Sequence, residues 1–154
     1  MRLPVDSVNL CIASKEIQAA AEEFFENTGP LYNVMIWHTC SPFKQSTVDA
    51  LIDKFVPVDE GSFYLNGPTR LTRTQLERLV LKCELSNKKL EIQVYPEGAT
   101  ETSKVTNFFD FDKHYSRKIV QEGEVTARRE GAQLEVRVGR CRHLDTFNWN
   151  WHCP

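Results

Sequence analysis

The sequence predicts an α+β fold: a mixed β-sheet with about three helices, mostly on one face, and an antiparallel C-terminal hairpin region. Three observations predict it. Short apolar runs alternate with helical apolar stripes as βαβαβα up to Asn87, period-two alternation takes over from Leu90, and no linker, repeat or low-complexity stretch interrupts the 154 residues. The chain therefore reads as one α+β domain, 1–154, long enough to bury a real core.

Residues 8–13 form a near-continuous apolar run, as in a strand buried on both faces. Ser14 then caps a helix to about Asn27, with Ile17, Ala20, Ala21, Phe24 and Phe25 as its apolar stripe and Glu16 in the first turn, where it suits the helix dipole. Gly29-Pro30 ends it. Residues 32–39 are the second strand, broken by Ser41-Pro42. Ser46, with Asp49 three residues on, opens the next helix, whose stripe is Val48, Leu51, Ile52 and Phe55. Residues 62–65 are a third strand. Thr72 with Gln75 is a second capping box, opening a helix that carries Leu76, Leu79, Val80 and Cys83 on one side.

Beyond Leu90 the alternation of Leu90, Ile92 and Val94 marks a strand, and residues 105–113 read as another. A hairpin follows. With Glu130-Gly131 as a two-residue turn, Ala127 faces Leu134, Val125 faces Val136, Thr126 faces Glu135 and Glu124 faces Arg137. The aromatics Phe147, Trp149 and Trp151 alternate with Asn148, Asn150 and His152. They read as a last strand that locks the core, with an aromatic binding strip as the alternative.

The formal net charge is -2 and the pI near 6.1, which gives no global reason to expect nucleic acid or an anionic membrane. No apolar run approaches the roughly 20 residues of a membrane span, and the first residues lack the pattern of a secretory signal. Five cysteines at irregular spacing read as reduced thiols, so a cytoplasmic location is expected, with Cys11 and Cys83 as small buried hydrophobes.

Three of the four histidines lie within two residues of a cysteine. His38, Cys40, Cys141, His143, His152 and Cys153 are thus candidate metal ligands. Zinc is the cofactor they could hold, although the spacing is not that of a zinc knuckle. Asp110, Asp112 and His114 alternate on the strand predicted over 105–113 and would share one face, where they could bind a divalent cation or do acid–base work. The same alternation is what the solvent face of any half-buried strand requires. No nucleotide-binding loop, nucleophile elbow or zinc-protease motif occurs, and no complete set of catalytic residues is visible.

The small net charge conceals an asymmetry. Residues 1–66 hold four basic and nine acidic side chains, a formal -5, and residues 67–154 hold fifteen and twelve, a formal +3. Glu22, Glu23, Glu26, Asp49, Asp53, Asp59 and Glu60 fall on the first two helices and the loop after the second. On one sheet face they would form an acidic ridge able to steer a basic partner. The leading expectation is therefore a small protein-binding module, such as an inhibitor, immunity protein or antitoxin that blocks a basic enzyme or toxin. A metal-dependent enzyme or zinc protein is the alternative. Nucleic-acid binding through Arg128, Arg129, Arg137, Arg140 and Arg142 of the hairpin region ranks third.

Overall fold

The computed structural model describes residues 7–141 and 146–154. Its strands are β1 (Ser7–Cys11), β2 (Asn33–His38), β3 (Ser62–Leu65), β4 (Glu91–Val94), β5 (Arg117–Gln121), β6 (Glu124–Arg128), β7 (Glu135–Arg140) and β8 (Phe147–His152). Its helices are α1 (Lys15–Asn27), α2 (Gln45–Lys54), α3 (Arg73–Ser86) and the single-turn α4 (Phe111–His114). All eight strands join one mixed sheet in the order β1-β2-β3-β4-β8-β7-β6-β5. β1 to β4 run parallel, and the remaining pairings are antiparallel. The class is α+β.

Because β1 to β4 are neighbours in sequence order, three right-handed crossovers place α1, α2 and α3 side by side on the same sheet face. α2 sits between the other two, and α1 is outermost, on the β1 side. The core lies between this layer and alternate strand residues: Val34, Ile36, Phe63, Leu65, Ile92, Val94, Trp149 and Trp151 below, and Leu51, Ile52, Leu76, Leu79 and Val80 above. Phe147, Trp149 and Trp151 are all buried, so the C-terminal aromatics are core, with Asn148, Asn150 and His152 half-buried on the opposite face. Among the described residues the three long helices lie on the other face. No helix among the described residues is long and apolar enough to cross a membrane.

The capping box of Thr72 and Gln75 forms as the sequence predicts. Several other local expectations are corrected. Among the described residues β1 is an edge strand with only β2 beside it, and Cys11 is exposed. Ser46 does not cap α2, which begins two residues earlier than that cap implies, at Gln45 behind Lys44. Residues 105–113 are not a strand. A 3₁₀ turn (Val105–Asn107) and α4 occupy that stretch, although Phe109 and Phe111 still enter the core.

The hairpin is shifted by two residues from the predicted pairing. Ala127 lies opposite Val136, Val125 opposite Val138 and Thr126 opposite Arg137. An even shift keeps every side chain on its expected face. Arg137 still reaches Glu124 diagonally, Nε to Oε1 at 3.1 Å. The two-residue turn is at the other Glu-Gly, Glu122-Gly123. There Gly123 has φ 71° and joins β5, a strand absent from the sequence-based expectation, to β6. Glu130-Gly131 belongs to a wider loop closed by Ala132 N–H donating to the Arg129 carbonyl.

One buried carboxylate ties the two halves of the chain together. Glu84 of α3 is 3% exposed. It accepts from Trp151 Nε1 at 3.1 Å and pairs with Arg129 Nε at 3.4 Å. Beside it, the Tyr115 phenol is held above its ordinary value by burial and then by the Glu84 charge, and burial likewise raises the Cys83 thiol. Glu84→Ala would leave Arg129 and Trp151 without their acceptor. A loss of about 3 kcal/mol in urea unfolding is expected. Both raised groups must keep their protons in the folded state, so the stability they contribute is complete below the ordinary thiol and phenol values of 9.0 and 10.0 and declines as pH rises past them. Stability measured from pH 8 to pH 11 should fall by up to about 1.4 kcal/mol per pH unit for each group. Tyr115→Phe should flatten the upper part of that decline.

Candidate protein-docking surface

α1 is capped as predicted, with Ile17 N–H donating to Ser14 Oγ at 3.2 Å. Its rotation about its own axis is not as predicted. The buried positions are Gln18, Glu22 and Phe25, while Ile17 is 58% and Phe24 39% exposed and Ala20 faces solvent. The cause lies in the loop between β2 and α2. Gln18 Oε1 accepts from the backbone N–H groups of Cys40 (3.0 Å) and Ser41 (3.1 Å), and Gln18 Nε2 donates to the Ser41 carbonyl at 2.9 Å. One turn on, Glu22 Oε1 accepts from Lys44 N–H at 2.7 Å and from the Thr47 hydroxyl at 3.1 Å. Glu22 thus caps α2 from a neighbouring helix, at the end where the dipole favours negative charge. Gln18 and Glu22 are buried as acceptors for these part-buried loop N–H groups, and the helix leaves two apolar side chains exposed in exchange.

At roughly 100° per residue, Ile17 and Phe24 lie about 140 to 180° round the helix from Glu22 and Glu26, which face α2. Since α1 is outermost in its layer, this flank overhangs the β1 edge. Ala20 continues the stripe, and Glu16 and Glu23 border it. Neither pairs with a cation among the described residues. Ile17, Ala20 and Phe24 thus form an exposed apolar stripe with an acidic border, a candidate contact surface.

The predicted acidic ridge is thinned by internal pairing. Glu22 is buried and spent on the α2 cap, so it is not available to a partner. Asp49 and Asp53 both pair with Arg78 of α3, Glu26 is 4.0 Å from Lys44 Nζ, and Asp59 accepts from the Lys89 N–H at 3.0 Å. Glu60 occupies a left-handed turn at φ 66° before β3. Glu23 keeps a fully uncommitted carboxylate, and Glu16 joins it. The sequence hid Ile17, Ala20 and Phe24 because their spacing fits a core stripe, and hid Glu16 because a first-turn acid has an ordinary helix-dipole role.

The metal candidates do not converge. His38 and Cys40 lie at the C-terminal end of β2, with β3 and β4 between them and β8. Cys141 bonds Thr146 at the start of β8, whereas His152 and Cys153 close its other end, about 17 to 20 Å along the strand. His152 and Cys153 border a shallow depression on the open sheet face with Asn148, Asn150 and Arg137. His143 lies outside the described residues, as does Arg142. Asp110 caps α4 by accepting from Lys113 N–H, Asp112 pairs with Lys118 at 2.8 Å, and His114 stacks on Phe109 near Glu77. Losing the strand removes the shared face that suggested a site. Among the described residues no three His, Cys, Asp or Glu side chains are grouped to hold a metal ion. The hairpin arginines are likewise engaged within the chain: Arg128 with the Ala132 carbonyl, Arg129 with Glu84, Arg137 with Glu124 and Arg140 with the Thr100 and Ser103 carbonyls.

No family model, curated protein or solved structure matches this chain.

The two faces of α1 should respond differently to substitution. Gln18→Ala or Glu22→Ala removes the acceptor of part-buried loop N–H groups and should cost about 1 kcal/mol in urea unfolding. Ile17→Asp should change stability by no more than about 0.5 kcal/mol.

Proposed function

We propose that this protein is a binding module that docks a basic protein partner, in the manner of an inhibitor, immunity protein or antitoxin that blocks a basic enzyme or toxin. The observation that carries this reading is the inverted amphipathicity of α1: Gln18 and Glu22 face inward while Ile17 and Phe24 face solvent. Outward apolar side chains on a rigid, well-capped helix are a preorganised contact surface, which lowers the ordering cost of binding. Glu16 and Glu23 on the border favour a partner of positive charge, as does the formal -5 of the N-terminal portion.

The test compares proteins captured by tagged wild type and by the Ile17→Asp/Phe24→Asp variant from cells that produce the protein. A captured protein of basic pI, retained at low salt and released at high salt, is expected. Its recovery should fall at least about tenfold with the variant and stay unchanged with Glu97→Lys, an exposed substitution in a different region. Equal capture by wild type and the α1 variant would overturn the proposal.

A further inference from the structure

Strand β5 is exposed at every residue and, among the described residues, has β6 as its only strand neighbour. Its outer side therefore carries backbone N–H and C=O groups that no described strand meets. It holds no proline, and its pairing with β6 runs without a bulge, so neither device blunts the edge. Ile119 is 61% and Val120 56% exposed.

Pairing with β6 fixes the faces. Val120 lies opposite Val125, a core residue on the helix side, and Ile119 lies opposite the half-buried Thr126 on the open side. By alternation Arg117 shares the open side with Ile119, and Lys118 shares the helix side with Val120.

The two cations differ in how their charge is met. Lys118 is 2.8 Å from Asp112 of α4. Arg117 stands directly opposite Arg128 of β6, and like charges across a strand pair destabilise it. Among the described residues no carboxylate lies within ion-pair distance of either guanidinium. Arg128 donates Nε and Nη2 to the Ala132 carbonyl at 3.2 and 3.0 Å, a neutral acceptor that leaves its charge unbalanced. Glu135 of β7 is turned to His152, 3.8 Å from Nε2. A depression beside the two arginines is lined by Ser116, Gly131 and Gln133, with Glu130 at its border and Arg129 committed to Glu84.

We infer that β5 receives an extended acidic segment of a partner protein as an additional strand of the sheet. Backbone pairing supplies the contact, and the side chains set its order. β5 runs from a cationic end at Arg117 and Lys118 to an apolar end at Ile119 and Val120. The incoming segment carries a carboxylate beside Arg117, where it enters the depression and balances both arginines. It carries an apolar side chain on each face beside Ile119 and Val120. β5 lies at the opposite sheet edge from α1, so this surface is independent of the α1 flank.

Two acetylated, amidated peptides are the probes: Thr-Val-Ile-Glu-Glu-Thr, which matches β5 when antiparallel, and Thr-Glu-Glu-Ile-Val-Thr, which matches it when parallel. Titrated into the isotope-labelled full chain, at least one should shift the amide resonances of Arg117–Gln121 saturably and slow exchange of outward amides there. High salt should weaken it. The same peptide with lysines in place of glutamates should bind at least about tenfold more weakly, and N-methylation of both central residues should abolish binding. Arg117→Glu should reverse the preference between the acidic and basic peptides. That variant sets opposite charges across the β5–β6 pair, so folding is retained, and the peptide comparison on wild type needs no variant. Absence of saturable shifts with either acidic peptide at millimolar concentration overturns the inference. So does binding that ignores peptide charge, survives N-methylation or maps to other strands. Protection of β5 that rises with protein concentration alone would put a second copy there and overturn it. Equal shifts with oligothymidine would overturn it too, because charge alone would then explain the binding.

Discussion

The grip of α1 on the loop between β2 and α2 sets the orientation on which the proposed docking flank depends. Gln18 and Glu22 stand one turn apart and between them accept from the N–H groups of Cys40, Ser41 and Lys44. Both side chains are buried and their bonds to the loop are part-buried, so a Gln18 or Glu22 left without these partners would be a costly buried polar group. Turning α1 to bury Ile17 and Phe24 instead would orphan those loop groups and withdraw the carboxylate from the start of α2. Leaving two apolar side chains exposed keeps three part-buried loop donors and the buried Thr47 hydroxyl supplied with acceptors. Phe25 stays in the core in this orientation, so the rotation sacrifices only part of the helix's apolar area.

The same economy of helix ends holds the rest of the layer in register. Lys54 of α2 donates to the Phe25 carbonyl near the end of α1, and Lys82 of α3 donates to the Ile52 and Asp53 carbonyls at the end of α2. Each C-terminus is thus met by a cation from the next helix, where the dipole favours positive charge. Burial lowers the Lys82 pKa, while the Asp53 charge opposes that shift. Glu84 then fastens α3 to β8 and to the loop after β6, linking the parallel portion of the sheet to the antiparallel one. Asp49 and Asp53 pair with Arg78, whereas Glu16 and Glu23 at the outer flank of α1 have no cationic partner among the described residues.

Much of the architecture was legible in the sequence. The three crossover helices, the parallel strands and the C-terminal aromatic strand follow from periodicity and capping, because those signals are local. The errors share one cause, which is that a local pattern had two solutions and a distant contact chose between them. Glu-Gly occurs at 122–123 and at 130–131, and only pairing across three strands decides which is the tight turn. The alternation of Phe109 and Phe111 with Asp110 and Asp112 suits a strand. A single helical turn also buries both rings when Tyr115 and His114 pack around them. For α1, apolar spacing admitted a core stripe, and the competing stripe of Gln18, Glu22 and Phe25 is invisible without the loop it satisfies.

The sequence by itself determined the α+β class, the element types of the N-terminal half, the alternation of Phe147, Trp149 and Trp151 on one face of a strand, and the split of charge along the chain. These depend on spacing and composition, which a strand or helix carries wherever it is placed. Tertiary structure alone decided that β1 and β5 are edges, that the histidine–cysteine pairs of the described residues lie apart, and that most of the acidic ridge is internally paired. It also turned Ile17 and Phe24 outward. Each of those outcomes depends on which backbone groups need partners once the chain has closed, and that requirement is fixed between segments far apart in sequence.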